Sequence, residues 1–172
     1  MWREVASTAI AIEHMIPGMK ASMFVLAVVP FHPVESPARY LVVEERDGTF
    51  YLPAGRVERG ENLVAAVVRE TIEEAKQLIG VLGMLAMDHE VRADTLRLRF
   101  VFAGYRGLDA PVKREADHHS RGAAYMTREQ IARLPLRHPE VLTFIDAYES
   151  RRSLMPTGAY DFYGPDPVYR ED

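Results

Sequence analysis

The sequence predicts a mixed α/β or α+β fold, a mixed β-sheet covered by helices, and three observations carry that prediction. The stretch "DTLRLRFVFAGY" alternates with period two, placing Leu96, Leu98, Phe100 and Phe102 on one face and Thr95, Arg97, Arg99 and Val101 on the other. After Asn62, residues Leu63, Ala66, Val67, Ile72 and Ala75 recur at roughly helical spacing. Short β-rich apolar runs bounded by turn residues lie before that helix, and strands mixed with helices bury their apolar faces in layers.

In chain order, Met23 to Val29 reads as a buried strand stopped by Pro30 and Pro33, and Arg39 to Glu45 as another closed by the turn dipeptide Asp47-Gly48. These two are expected to pair as a hairpin or within a sheet. In "TFYLPAG" the residues Pro53 and Gly55 argue for a loop. Asn62 is a good N-cap for the helix that follows. Beyond the alternating strand, Asp109 to Ser120 reads as a polar loop and "GAAYM" as a short strand. Thr127 with Gln130 matches a capping box, and Pro139 suits the first position of a helix running through Tyr148.

A chain of 172 residues, 48% apolar, predicts a single domain over 1–172 with an ample core. An extra N-terminal element at 1–20, able to act as a dimer arm, and a Pro- and aromatic-rich tail at 154–172 flank it. The net charge of −4, with acids and bases interspersed, gives no electrostatic case for duplex nucleic acid or an anionic membrane. Absence of cysteine excludes disulfides, thiolate metal sites and a cysteine nucleophile, in accord with a cytoplasmic location. The start lacks a signal-peptide pattern, and "MFVLAVVPF" is too short to span a bilayer.

Chemistry concentrates between Gly55 and Gln77, "GRVERGENLVAAVVRETIEEAKQ". At about 100° per residue, Glu70, Glu73 and Glu74 share one helix face. Like charges so placed repel unless solvated, paired with Arg, or neutralised by a cation, and hard Mg²⁺ or Mn²⁺ prefers carboxylate oxygen. Two readings follow: a metal site, or a solvated face with Glu70 and Glu74 served by Arg69 and Lys76.

The spacing is more specific than the charges. Gly55, Glu61, Arg69-Glu70 and Glu73-Glu74 reproduce the Nudix box, a match expected by chance on the order of once in 10⁵ to 10⁷ chains. The chain is thereby identified as resembling the Nudix hydrolase superfamily, also in "LPAGRVE", the alternating strand and "LRHPEVLTFIDAYESRR". The resemblance implies an α/β/α sandwich with a mixed sheet, and a metal-dependent pyrophosphohydrolase that cleaves a diphosphate linkage by water attack at phosphorus. It implies Mg²⁺, with Mn²⁺ an alternative. It further implies Glu73 and Glu74 as metal ligands, Glu70 as ligand or base, the Gly55 carbonyl as a further ligand, and Glu61 and Arg69 as support. Physically, a diphosphate approaching an acidic site needs a cation to bridge the two.

Two positions depart from the family pattern. Lys76 stands where Gly normally ends the helix, followed by Gln77 in place of an aliphatic residue, so the helix either runs toward Gly80 or ends with Lys76 in a less comfortable conformation. Where relatives often carry another acidic base or ligand this chain has His119, with Asp117, Glu115 or His118 as alternatives.

For the substrate, Arg97 and Arg99 project from one strand face, suited either to phosphate or to an ordinary charged outer face. Tyr160, Phe162 and Tyr163 could stack on a base or pin the tail to the core. The carboxyl end is similar in order and character to that of NudJ-type phosphatases, which act on nucleoside tri- and diphosphates and on the pyrimidine diphosphate precursor of thiamine. A small phosphorylated molecule such as a nucleotide is therefore the expected partner. The competing expectation is a catalytically impaired Nudix-fold nucleotide-binding or regulatory module.

Overall fold

Pro30 marks the point where the chain leaves one sheet and enters another. A computed structural model of the protein describes residues 20–107, 109–150 and 154–156. Strand β1 (Lys20–Val28) pairs in parallel with β7 (Thr95–Arg106) and antiparallel with β5 (Ala54–Arg56). On its other side β7 takes β6 (Ile79–Arg92) antiparallel, so the first sheet is mixed, in the order β5-β1-β7-β6. The second sheet is built on β3 (Arg39–Glu44), which pairs antiparallel with β2 (Pro30–Phe31), β4 (Phe50–Tyr51) and β8 (Gly122–Thr127).

Among the described residues three helices cover these sheets: α1 (Leu63–Ala75), α2 (Arg128–Ile131) and α3 (Glu140–Glu149). Alternate residues of the same strands feed two cores. Val25, Ala27 and Val29 with Phe100 and Phe102 pack against Ala66, Val67 and Ala75 of α1. Leu26, Val28 and Val101, with Tyr40 and Val42, pack against Ile131, Val141, Phe144 and Ile145. Because both faces of β1 are covered, its apolar run is continuous instead of alternating, and each fully buried Val or Leu contributes roughly 1.5–3 kcal/mol. The expected α/β fold with a mixed sheet between helices is what the chain adopts.

Several sequence expectations are corrected in detail. The first two long strands do not pair with each other: the chain bends after Val29, and it is the two-residue β2 that pairs with β3. Pro53 does break the chain, but Gly55 is not in a loop; it lies in β5 opposite Val25. Ile72 is exposed and Thr71 buried, because Leu63, Ala66, Val67, Glu70, Thr71 and Ala75 form the inward i, i+3, i+4, i+7 stripe and Ile72 stands about 100° off it. The long strand β6 has register shifts at Val81/Gly83 and Met84/Ala86, which erase the period-two signal that would announce it. Pro139 is the N-cap of α3 and precedes its first turn. Tyr160, Phe162 and Tyr163, with the N-terminal element before Lys20, lie outside the described residues. No described helix is long and apolar enough to cross a membrane.

Candidate functional site

The site is assembled where α1 passes over β5. Asn62 starts the helix, its Oδ1 accepting from the Ala65 N–H at 2.7 Å, and fixes the phase that turns Glu70 and Glu74 inward. Glu70 is 8% exposed, an unusual place for a carboxylate, and Gly55 explains how it fits. A Cβ on Gly55 would lie 2.0 Å from the Glu70 carboxyl carbon and from Oε1. The carboxylate therefore occupies the space that any other residue at 55 would fill.

Arg69 organises the acids. Its Nε and Nη2 donate to the two oxygens of Glu61 at 2.9 and 3.0 Å, and its Nη1 donates to Glu70 Oε1 and Glu73 Oε2, both at 2.9 Å. Nη2 also reaches the Arg56 carbonyl at 3.0 Å, tying the helix to β5. Such a fork-to-fork pairing with Glu61 is available to guanidinium and not to ammonium. Burial opposes the charge on Glu61, but the hydrogen bonds from Arg69 and from the Glu58 N–H hold its carboxyl below the usual range. Burial dominates at Glu70, whose carboxyl is pushed up despite Arg69. At Glu74 burial pushes the carboxyl up to about 8, opposed by the Ala54 N–H, which donates to Oε2 at 2.9 Å.

Among the described residues no three His, Asp or Glu side chains are assembled into a metal cage. Glu70 and Glu73 turn to the shared Arg69 nitrogen, while Glu74 turns to Ala54. The donor set nevertheless fits a hard divalent cation: three carboxylates lie on one helix turn, one seated against Gly55 and one against the Ala54 N–H, with a single guanidinium among them. The raised Glu70 and Glu74 mark carboxylates whose charge their surroundings do not balance, which a cation would.

The helix ends at Ala75 with Lys76 left-handed (φ 55°), the second of the two alternatives; Lys76 N–H donates to Ile72 O at 2.9 Å. Gln77 is buried, its Nε2 donating to Ala110 O at 3.0 Å, so it anchors the following loop where an aliphatic residue would only pack. In that loop Asp117 Oδ1 pairs with the Lys113 ammonium and accepts from the His119 N–H at 2.8 Å, holding the Asp117 carboxyl far below its usual range. His119 stands closer to the acids, Nδ1 lying 3.8 Å from Glu73 Oε2. Glu115 and His118 are exposed.

Arg97 and Arg99 do share a face, the one opposite α1. Arg99 is committed to carboxylates: Nε and Nη2 donate to Asp88 at 2.8 and 2.6 Å, and Nη1 to Glu140 Oε1 at 2.5 Å, an oxygen that also accepts from Tyr51. Arg97 lies over the Phe24 ring at 4.5 Å, and its Nη1 is 4.0 Å from Glu90 Oε2. Its Nε is buried and has no hydrogen-bond partner among the described residues. Arg56 also lies by the Phe24 ring, at 5.6 Å from its centroid, and connects this face to the glycine next to it in sequence.

The family model described as NUDIX domain matches residues 25–146. The chain belongs to the NUDIX domain family. Its relatives include proteins described as 8-oxo-dGDP phosphatase NUDT18 from Mus musculus, 36% identical over 58% of this chain, and from Homo sapiens, 37% identical over 58%. The chain spans 30% of the length of these relatives. Among solved structures it resembles a NUDIX hydrolase from Nitrosomonas europaea, at 27% identity and a TM-score of 0.70, covering 86% of this chain and all of that one. A UDP-X diphosphatase, at 18% identity and a TM-score of 0.61 over 84% of this chain and 72% of that one, shares the fold.

Within this Nudix chain four residues escape a reading of the sequence: Arg56, Phe24, Lys113 and Ser120. Arg56 carried a signal, since it follows Gly55 directly and faces the same way as Ala54. The other three depend on contacts between distant segments and carried none.

Proposed function

We propose that this protein is a divalent-metal-dependent Nudix hydrolase that cleaves a phosphoric anhydride bond in a nucleoside di- or triphosphate. The observation that carries the reading is the seating of the Glu70 carboxylate in the space left by the Gly55 side chain, beside Glu73 and Glu74 and under the control of one guanidinium. Glu70, Glu73 and Glu74, with the Gly55 carbonyl, would hold the metal. Bound Mg²⁺ or Mn²⁺ would neutralise the diphosphate, lower the pKa of a water and stabilise charge on the leaving phosphate.

The protein's own groups divide the remaining work. Arg69 keeps the acids apart and oriented through its bonds to Glu61, Glu70 and Glu73. Glu70, whose carboxyl is raised by burial, is suited to take a proton from the attacking water. His119, beside Glu73, is a second acceptor within reach, whereas Asp117 is engaged by Lys113. Arg97 and Arg56 are the cations better placed to meet phosphate or a nucleobase edge, since Arg99 already bonds two carboxylates. The NUDT18 relatives favour an oxidised purine nucleoside diphosphate as the first substrate to test, and the carboxyl-end likeness to NudJ-type phosphatases adds nucleoside triphosphates and a pyrimidine diphosphate.

The decisive assay offers that panel with Mg²⁺ and identifies the products. Hydrolysis that stops on chelation and is lost in Glu73→Gln and Glu74→Gln is the expected result. Tight metal-independent nucleotide binding with no orthophosphate or pyrophosphate released from any substrate would replace the enzyme with a binding module.

A further inference from the structure

The last turn of α1, which carries Glu73 and Glu74, is held from outside the helix. Its final carbonyls have no intrahelical partners, a property of every α-helix end. Here three of them are satisfied by one distant loop. Lys113 Nζ donates to Glu73 O at 3.0 Å, Ser120 Oγ donates to Glu74 O at 2.6 Å, and the Lys113 N–H donates to Ala75 O at 3.0 Å. The Lys113 side chain is 1% exposed, and a lysine so buried is found only where its charge is paired.

The pairing is local and closed. Asp117 Oδ1 takes the Lys113 ammonium together with the N–H groups of His119 (2.8 Å) and Ser120 (3.2 Å), and the Asp117 N–H returns to Ser120 O at 3.0 Å. One carboxylate thus shapes the loop so that Ser120 faces Glu74 O and His119 faces Glu73 Oε2 at 3.8 Å. The Lys113 N–H and carbonyl also bridge Ala75 to Ala123 of β8, so the helix end and the second sheet share this residue. The ammonium lies near enough to Glu74 to favour its ionised form.

We propose that Lys113, with Asp117 and Ser120, is a positioning device for the metal-binding face: the loop fixes the backbone from which Glu73 and Glu74 project and sets His119 beside them. This rests on the metal reading given above. A lysine serving only to anchor the fold would affect the melting temperature alone. One that positions ligands must also affect metal affinity at temperatures where the protein is fully folded.

The test measures Mn²⁺ binding to the full chain without nucleotide, by calorimetry at 20 °C, for the parent, Lys113→Met, Asp117→Asn, Ser120→Ala and Glu73→Gln. Amide exchange at Lys76 and Gln77, and kcat separately from KM, are measured alongside. Lys113→Met is expected to weaken Mn²⁺ by about tenfold or more, the usual effect of removing a group that orients a ligand. The same variant should speed exchange at the helix end and lower kcat more than it raises KM. Asp117→Asn and Ser120→Ala should move all three in the same direction by less; should Lys113→Met not fold, these two decide the matter. Parent-like Mn²⁺ affinity in the folded Lys113, Asp117 and Ser120 variants, with Glu73→Gln weakened, would overturn the positioning role and leave the metal site standing. Parent-like affinity in Glu73→Gln would remove the metal site, and this proposal with it.

Discussion

Gly55→Ala isolates the contact on which the site depends. The added Cβ would sit 2.0 Å from Glu70 carboxyl atoms, whereas ordinary van der Waals contact begins at 3.4 Å, so the carboxylate must retreat by about 1.4 Å. Gly55 is not one of the positive-φ glycines, so alanine meets no backbone strain there and the collision is the whole perturbation. A misplacement of order 1 Å in a catalytic group costs about 10²-fold, or about 2.7 kcal/mol of transition-state stabilisation, while overpacking costs roughly 1–3 kcal/mol of fold stability. The assay is kcat/KM for Mg²⁺-dependent nucleotide hydrolysis, paired with a urea titration. Gly60→Ala is the control: nothing lies within 4 Å of its Cβ but its φ is 81°, so it should lose about 1 kcal/mol of stability and keep its activity. Activity within threefold of the parent in folded Gly55→Ala would refute the argument that Glu70 must rest on this glycine.

Arg69→Lys keeps the charge but loses the fork that spans Glu61, Glu70 and Glu73, and kcat/KM should fall at least about tenfold in steady-state kinetics. Glu74 ionises near pH 8 in the fold against about 4.5 in the unfolded chain, so the folded state holds the extra proton between those values. Its stabilising contribution is complete below about pH 4.5 and is lost as pH rises to 8; in chelator, urea midpoints should show a fall on the order of 5 kcal/mol that Glu74→Gln abolishes. Lys76→Gly should raise stability by roughly 0.5–1 kcal/mol, because glycine accepts the left-handed conformation that lysine holds at a cost; the denaturant midpoint reports it.

What could be read from the residues alone depended on whether the signal was local. The N-cap at Asn62, the capping box of Thr127 and Gln130, and the alternation of β7 are each set within a few residues, and each formed as expected. Strand β6 was hidden because two register shifts interrupt its alternation. The pairing of β1 with β7 and not β3 was hidden for a different reason: pairing is decided by the whole sheet, while a strand's own residues report only how much of it is buried. At the site, spacing put Glu70, Glu73 and Glu74 on one face. It did not say that Glu70 would be buried or that Asp117 would be spent on Lys113. Arg97 and Arg99 illustrate the limit best: period two puts both on one face, but only the neighbouring strands and α3 decide that Arg99 bonds Asp88 and Glu140 while Arg97 rests on Phe24.

Lys76 is intelligible once the loop is considered with it. A left-handed lysine costs about 1–2 kcal/mol relative to a right-handed one, and glycine at this position would avoid most of that cost. In compensation, the carbonyls of Glu73, Glu74 and Ala75 each receive a donor from the 113–120 loop, and a typical net contribution of 0.5–1.5 kcal/mol per hydrogen bond is enough to offset the strain. The helix end is therefore specified from two directions, weakly by its own sequence and strongly by tertiary contacts. Termination by a glycine would depend only on the local chain. Termination by this loop instead makes the position of the two carboxylates depend on Lys113, Asp117 and Ser120, so that order in the loop and order at the acidic face come as one.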